Sequence, residues 1–290
     1  MSNFELGRAD GKLATAFHES FALSNPALSQ ILNIASKLGT AVKNGQKVLT
    51  FDGIREGTTL GSNYVKSMRR YACGAGLLDN MERLSSFGRL ALDHDSLLSD
   101  PATLWVMHYN LAADHLSGPP FWHDLVLRYF APGMELTPEQ IANDIGCSVA
   151  SREAKELASR TLRSTATIFL GTYAKSDALG GLGILQLLKS SCYITCRPCV
   201  PSMWVVAYVV ADYWRAHWGD RATVNLSAMT EPGGPASLLL LSSGDMNALL
   251  REMQNQQLVQ IQRRVPPYQV VRLWDSPESI LEHLYDSANA

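Results

Sequence analysis

Ten residues, Thr103-Leu104-Trp105-Val106-Met107-His108-Tyr109-Asn110-Leu111-Ala112, set the tightest limit on what this chain can fold into. They are apolar almost all the way round a helix, and a helix without a polar face has to be covered on every side. Asp100 is a good cap and Pro101 a good first residue, which places the start, and Gly118-Pro119-Pro120 closes the unit. With 290 residues, 46% of them hydrophobic, the chain has material for such a core and for two or three domains.

Elements before and after this helix follow from period and punctuation. Leu13 to Leu23 reads as a short extended piece. Asn25-Pro26 opens a helix whose period is carried by Leu28, Ile31, Leu32, Ala35 and Leu38, and Gly39 to Gly45 ends it. A weaker helix around Thr50 to Glu56 and a tight turn at Gly57 to Gly61 lead into a basic helix. Arg83 to Leu92, broken by hydroxyls and Gly88, reads as a small hairpin. Beyond Pro120 come an aromatic helix (Phe121 to Phe130), a capping box at Thr137-Pro138-Glu139-Gln140 and a long amphipathic helix from Ser151 to Tyr173. Met203 to Trp218 is a second buried helix. A helix from Gly244 to Gln256 then precedes two short strands about Pro266-Pro267, and Pro277 to Tyr285 closes the chain. The expected fold is mainly α with small β-hairpins (α+β). It comprises a winged helix-turn-helix domain over 1–98, a helical domain over 99–220 and a C-terminal winged-helix-like segment over 221–290.

The basic helix carries the functional expectation. Val65, Met68, Ala72 and Ala75 fall on one side, while Asn63, Lys66, Arg69 and Arg70 fall on the other. Ser62 can cap its start, and Gly74 and Gly76 end it. A short helix with an apolar back and a basic, amide-bearing front is what a helix-turn-helix sends into a DNA major groove. Ser62, Asn63, Tyr64, Lys66, Arg69 and Arg70 are the helix candidates for DNA contact, with Arg83, Ser85, Ser86 and Arg89 as the wing. The plainer alternative is a surface helix with a solvated charged face. A formal net charge of -2 excludes a uniformly basic coat, so any DNA affinity is local. Around this stretch Lys43, Lys47, Arg55, Lys66, Arg69, Arg70, Arg83 and Arg89 outnumber Asp52, Glu56, Asp79 and Glu82.

Other chemistry finds less support. Cys192, Cys196 and Cys199 have the C-x3-C-x2-C spacing of a radical-SAM cluster site, but such a site needs a run of alternating strands and helices, and this region reads as helical. Zinc at these thiols would want a fourth ligand, with His217 on offer, and three reduced thiols packed as small hydrophobes is the favoured reading. His18-Glu19 are neighbours that point to opposite faces of an extended segment, and His108 reads as a hydrogen-bonded core histidine. Asp212, His217 and Asp220 lie beside Trp214 and Trp218, which suggests packing at a helix end. Gly180-Gly181-Leu182-Gly183 lacks the lysine and spacing of a phosphate loop, and no serine sits in a nucleophile elbow. The expectation is a protein without enzymatic activity or cofactor. The start, Met1 to Arg8, lacks a signal-type apolar core, and the longest apolar run, Met203 to Val210, is too short to span a bilayer. With an odd five cysteines this points to a cytoplasmic protein with reduced thiols and no membrane contact.

Several stretches carry a family resemblance: Phe17-His18-Glu19-Ser20-Phe21-Ala22-Leu23, Leu60 to Arg69, Ala75-Gly76-Leu77-Leu78, Leu84-Ser85-Ser86-Phe87-Gly88 and Asp100 to Tyr109. On these residues the chain resembles the prokaryotic domain-of-unknown-function 4007 family nearly end to end, more loosely from Ala222 on. The family usually has lysine where this chain has Ser62, and Tyr-Trp where it has Arg70-Tyr71. The resemblance implies a winged-helix-like fold and a place among phage-defence genes, including DNA-phosphorothioation and BREX-type islands. Residues and resemblance together lead to the expectation of an accessory subunit that binds double-stranded DNA beside other defence subunits. The competing expectations are a protein–protein adaptor docking through Trp105, Trp122, Trp204 and Trp214, and a cysteine-ligated metal or Fe–S enzyme.

Overall fold

The helix that demanded cover on every side runs Pro101–Ala112 in the computed structural model, which describes residues 13–38 and 51–286. Ahead of it lie α1 (Asn25–Leu38), α2 (Phe51–Gly57), α3 (Ser62–Gly74) and α4 (Ser86–His94). The buried helix is α5, and α6 (Pro120–Tyr129), β1 (Glu135–Leu136), α7 (Pro138–Glu153) and α8 (Ser159–Ala174) follow. The hairpin β2 (Leu185–Lys189) and β3 (Cys192–Thr195) joins β1 in an antiparallel sheet of order β1-β3-β2. The C-terminal part comprises α9 (Met203–His217), β4 (Thr223–Asn225), α10 (Pro235–Leu238), α11 (Ser243–Asn255), β5 (Val259–Gln262), β6 (Gln269–Arg272) and α12 (Pro277–Leu281). Its sheet is antiparallel, in the order β4-β6-β5. The fold is thus mainly helical with small antiparallel sheets, as expected.

Capping starts α5 as the sequence requires: Asp100 Oδ1 accepts the Ala102 N–H at 2.8 Å, with Pro101 in the first turn. Every residue from Thr103 to Ala112 is buried, with α3, α6 and α9 packed around them. Such burial costs most where a polar group lacks a partner, and within this helix the Trp105 indole N–H is the one buried side-chain group that has none among the described residues. The His108 Nε2–H donates to the Leu238 carbonyl at 2.9 Å, which leaves Nδ1 to accept from the Tyr173 hydroxyl at 2.8 Å. The Tyr173 oxygen in turn accepts from the Trp122 indole N–H at 2.8 Å. Edge-to-face contacts of Trp122 with Phe169 (5.0 Å) and of Phe130 with Tyr173 (4.7 Å) weld α6 to α8 around this chain.

Several expectations are corrected. Leu13 to Leu23 is a succession of turns rather than an extended piece, with Ala14, Glu19 and Ser20 at positive φ. His18 buries its ring there: Nδ1 accepts the Ser20 N–H at 3.0 Å and Nε2 donates to Thr165 Oγ1 at 2.9 Å. The Arg83–Leu92 hairpin is reduced to one bridge, Leu78 to Leu84, after which α4 begins. Ser85 is the reason: its hydroxyl donates to the Gly76 carbonyl (2.6 Å) and accepts the Gly88 N–H (2.8 Å), capping a helix where a strand was expected. Ser62 does not cap α3, since Gly61 occupies that position without a side-chain bond. The long helix over Ser151 to Tyr173 is two helices, interrupted where Ala154 turns left-handed (φ 47°). The region of Cys192 is a hairpin, not helical. The stretch from Gly39 to Gly45 that was expected to end α1, with Lys43 and Lys47, lies outside the described residues.

This packing can be tested at Gly88 and at the buried histidines. A Cβ at Gly88 would meet the Leu77 carbonyl oxygen at 2.0 Å, so Gly88→Ala should cost about 3 kcal/mol in urea unfolding. A cost below about 1 kcal/mol would show that α4 can shift freely. The buried His18 and His108 rings sit neutral, burial lowering each pKa to about 4, with Arg70 adding to the effect at His18 and Glu19 opposing it. The unfolded chain takes up these protons near pH 6.5 while the folded chain does not, so stability falls as pH drops from about 6.5 through 4. For His108 the full loss is about 3 kcal/mol. Thermal unfolding between about pH 7 and 4.5 should therefore show a shallower acid loss for His108→Gln than for the parent protein. Equal slopes would disprove the neutral assignment.

Candidate nucleic-acid interface and polar centre

The outward face of α3 is occupied by its own ion pairs. Arg69 is held by the Glu82 carboxylate, with its side chain only 20% exposed. Arg70 pairs with Glu19 Oε1 at 2.8 Å and donates to the Ala16 carbonyl. Arg83 pairs with Asp79 at 2.8 Å. Tyr64 packs edge-on against Phe21 at 5.0 Å. Ser62, Asn63 and Lys66 remain exposed. Arg83, Ser85, Ser86 and Arg89 line one open groove of about 770 Å³ beside α4, where Arg89 donates to the Leu84 carbonyl at 2.9 Å. The structure thus gathers the four wing candidates, but it ties Arg69 and Arg70 back to the N-terminal turns and the Leu78–Leu84 bridge region.

A more open cationic face lies at the other end of the chain. From α9 the order is helix, strand, helix, helix, hairpin, and β4 pairs with β6 of that hairpin. This is the connectivity of a winged helix, with α11 in the recognition position and the β5–β6 hairpin as wing. Ser242 and Asp245 form a reciprocal capping box at the start of α11, and Asp245 is fixed further by Arg197 at 2.8 Å. Met246, Leu249, Leu250 and Met253 anchor the helix, which leaves Arg251 and Asn255 outward. Arg263 and Arg264 stand on the exposed hairpin tip beside Val265 (75% exposed), and Arg263 donates to Asn247 Oδ1 at 3.2 Å. Arg251 and Arg264 have no carboxylate partner among the described residues. In the sequence Arg263 and Arg264 form a basic pair between the two strands expected about Pro266-Pro267, a signal that carries no helix-turn-helix pattern of its own.

A polar centre sits where the exit of α5 meets the last turn of α9. Asp212 Oδ2 accepts from the Tyr109 hydroxyl (2.9 Å) and from His115 Nε2 (3.1 Å), and Oδ1 accepts from Arg215 (2.7 Å). Burial alone would raise the Asp212 pKa, but His115, Tyr109 and Arg215 outweigh it and hold the carboxyl below its ordinary value. On the far side of the His115 ring, Nδ1 lies 3.2 Å from His217 Nε2 and 3.4 Å from Asp114 Oδ1. Hydrogen bonds from His115 and His217 hold Asp114 well below the usual carboxylate range. Burial works against a charged His115 ring, yet Asp114 and Asp212 raise its pKa. Tyr213 stacks on His217 at 4.0 Å and walls the site. Among the described residues Asp114, His115 and His217 are the one group of three such side chains with ligand atoms within 4.8 Å of one another. Cys192, Cys196 and Cys199 do not converge in this way, and all are free thiols. Sequence reasoning singled out Asp212 and His217 but missed Asp114-His115, whose signal was a charged pair directly after an all-apolar helix.

Fold and surface define a mainly helical protein that ends in a winged helix. It belongs to the family described as protein of unknown function (DUF4007), whose model matches residues 16–285. No curated protein matches the sequence. Two crystal structures are similar to it: one of magnesium ion-bound SspB, at 18% identity and TM-score 0.72, and one of SspB, at 19% and 0.70. Each likeness covers 93% of this chain and 86% of the other, and at such identities it speaks to the fold alone. Among the described residues no helix is long and apolar enough to cross a membrane.

Removing a buried carboxylate that holds three partners should be strongly destabilising. Asp212→Ala is expected to cost about 3–5 kcal/mol in denaturant unfolding, and Tyr109→Phe about 1 kcal/mol. Comparable small effects from both would mean that Asp212 does not hold this junction together.

Proposed function

We propose that the protein is a non-catalytic, DNA-binding accessory subunit of a bacterial phage-defence system, of the BREX type or associated with DNA phosphorothioation. The defence setting rests on the family. The DNA reading rests on one observation: α11 and the β5–β6 hairpin present Arg251, Arg263 and Arg264 on one exposed winged unit, none of them paired with a carboxylate among the described residues. A helix in this position enters the major groove while the hairpin lies against the backbone. Arginine can pair bidentately with guanine and asparagine with adenine, which gives Arg251 and Asn255 the base-facing positions and the hairpin arginines the phosphates. Lys66, Ser86 and Arg89 are a secondary backbone contact. Arg69 and Arg70 could join only by giving up Glu82 and Glu19.

A different observation supports an adaptor role. β2 is an edge strand of its sheet, and Leu187 and Leu188 stand exposed on it. An open edge with apolar side chains is a surface to which another chain can add a strand.

Duplex binding measured against salt separates the two. Arg251→Glu with Arg264→Glu should lower affinity at least about tenfold and flatten the log–log salt slope by about 1 for each phosphate left without its arginine. Lys66→Glu with Arg89→Glu should do less. If the N-terminal pair carries the larger effect, the winged unit is not the reading head. If no duplex binds even at low salt, the DNA proposal falls and the adaptor reading takes its place.

A further inference from the structure

We infer that Asp114, His115 and His217 form a binding site for a divalent transition-metal ion of the zinc class. The ligand atoms make a triangle with edges of 3.2, 3.4 and 3.6 Å: His115 Nδ1 to His217 Nε2, His115 Nδ1 to Asp114 Oδ1, and His217 Nε2 to Asp114 Oδ1. Zinc bonds of about 2.0–2.1 Å in tetrahedral geometry require ligand separations of about 3.4 Å, which lies in the middle of these edges. A magnesium octahedron with bonds of the same length has adjacent ligands about 3.0 Å apart and favours oxygen over imidazole. The triangle fits the first ion and not the second.

An independent feature points the same way. His115 is clamped from behind, its Nε2 held by the buried Asp212 carboxylate at 3.1 Å, so the opposite nitrogen is the one aimed into the triangle. A histidine that donates its distant N–H to a carboxylate is the usual outer support of a metal ligand, fixing tautomer and ring orientation while raising basicity. Tyr109 and Arg215 fix that carboxylate in turn. A proton on His115 Nδ1 would serve the two edges that meet there, whereas a divalent cation serves all three. Asp114 and His217 are 31% and 30% exposed, so the outer side of the triangle is open to water, which supplies a fourth ligand. The ion would sit between the exit of α5 and the last turn of α9, bracing the winged unit on the helical body. Asp212 is a positioning residue for the site.

Metal binding to the full chain tests this directly. After chelator treatment and dialysis the protein should take up one equivalent of Zn²⁺ by elemental analysis, and its melting temperature should rise with free Zn²⁺. Co²⁺ in place of zinc should give the intense visible absorption of a four-coordinate site. His217→Ala and the near-isosteric Asp114→Asn should each lose most of the affinity. Asp212→Asn should weaken it about 10–100-fold. The combined Cys192→Ser, Cys196→Ser and Cys199→Ser protein should bind zinc unchanged, and Mg²⁺ alone should not raise the melting temperature. No stoichiometric zinc, a six-coordinate cobalt spectrum, retention of zinc by both the His217 and Asp114 variants, or loss with the cysteines would each overturn the inference. Duplex affinity is read separately, so failure here leaves the DNA proposal standing and the reverse also holds.

Discussion

The junction of the molecule is a carboxylate that cannot be both buried and ionised without help. Asp212 lies on the inner face of α9, and its charge is met by Tyr109 from α5, His115 from the segment after α5 and Arg215 one turn along its own helix. Arg215 reaches on to Glu278 in α12 at 2.6 Å. One side chain therefore fixes the register of α5 against α9 and, through an arginine shared by two carboxylates, the closing helix against both. Apolar packing would hold α5 and α9 together in many sliding registers, because valine and leucine faces are forgiving. A charge that is stable in only one arrangement removes that freedom, a role for which buried polar groups have precedent in other folds.

The same logic repeats at the N-terminal end with neutral groups. His18 joins the turns before α1 to Thr165 in α8, and its carbonyl receives the Ser67 hydroxyl from α3 at 2.8 Å. Asn25 donates to the carbonyls of Leu98 and Ala178, which lie far apart in sequence. These bonds tie a segment with little regular structure to the helical body. They also explain why residues 16–23 hold a fixed course even though their side-chain alternation is poor: the partners are tertiary, so no local pattern announces them.

What could be read from the sequence alone divides along that line. The capped and buried α5, the aromatic α6, the Thr137 cap of α7 and the buried α9 were all legible, because caps and apolar runs act within a few residues, although Pro120 opens α6 rather than closing the unit before it. The Ser85 turn was misread because hydroxyls and glycine serve a helix start as well as a hairpin, and the deciding contact is with Gly76 and Leu77. The break at Ala154 has no glycine or proline to mark it. Of the polar centre, His217 and Asp212 stood out by proximity, but His115 comes from 97 residues earlier than Asp212 and could be joined to it only by folding. β4 was invisible for a similar reason: three residues make a strand only because β6 lies beside them.

Charge near balance makes the disposition of arginines more telling than their number. Arg128 with Asp144 and Arg152 with Asp124 lash α6 to α7, and Arg163 with Glu139 joins α8 to α7. Arg69, Arg70 and Arg83 do comparable work around α3. An arginine committed to a carboxylate presents little net potential to a polyanion, and releasing it forfeits the pair it leaves behind. The basic helix of the first quarter therefore reads as scaffolding once its partners are in view. The winged unit is arranged the opposite way: its helix is held by methionines and leucines from beneath, and its wing by strand pairing. Arg251 and Arg264 take part in neither, which is what the DNA proposal requires of arginines that are to meet a phosphate.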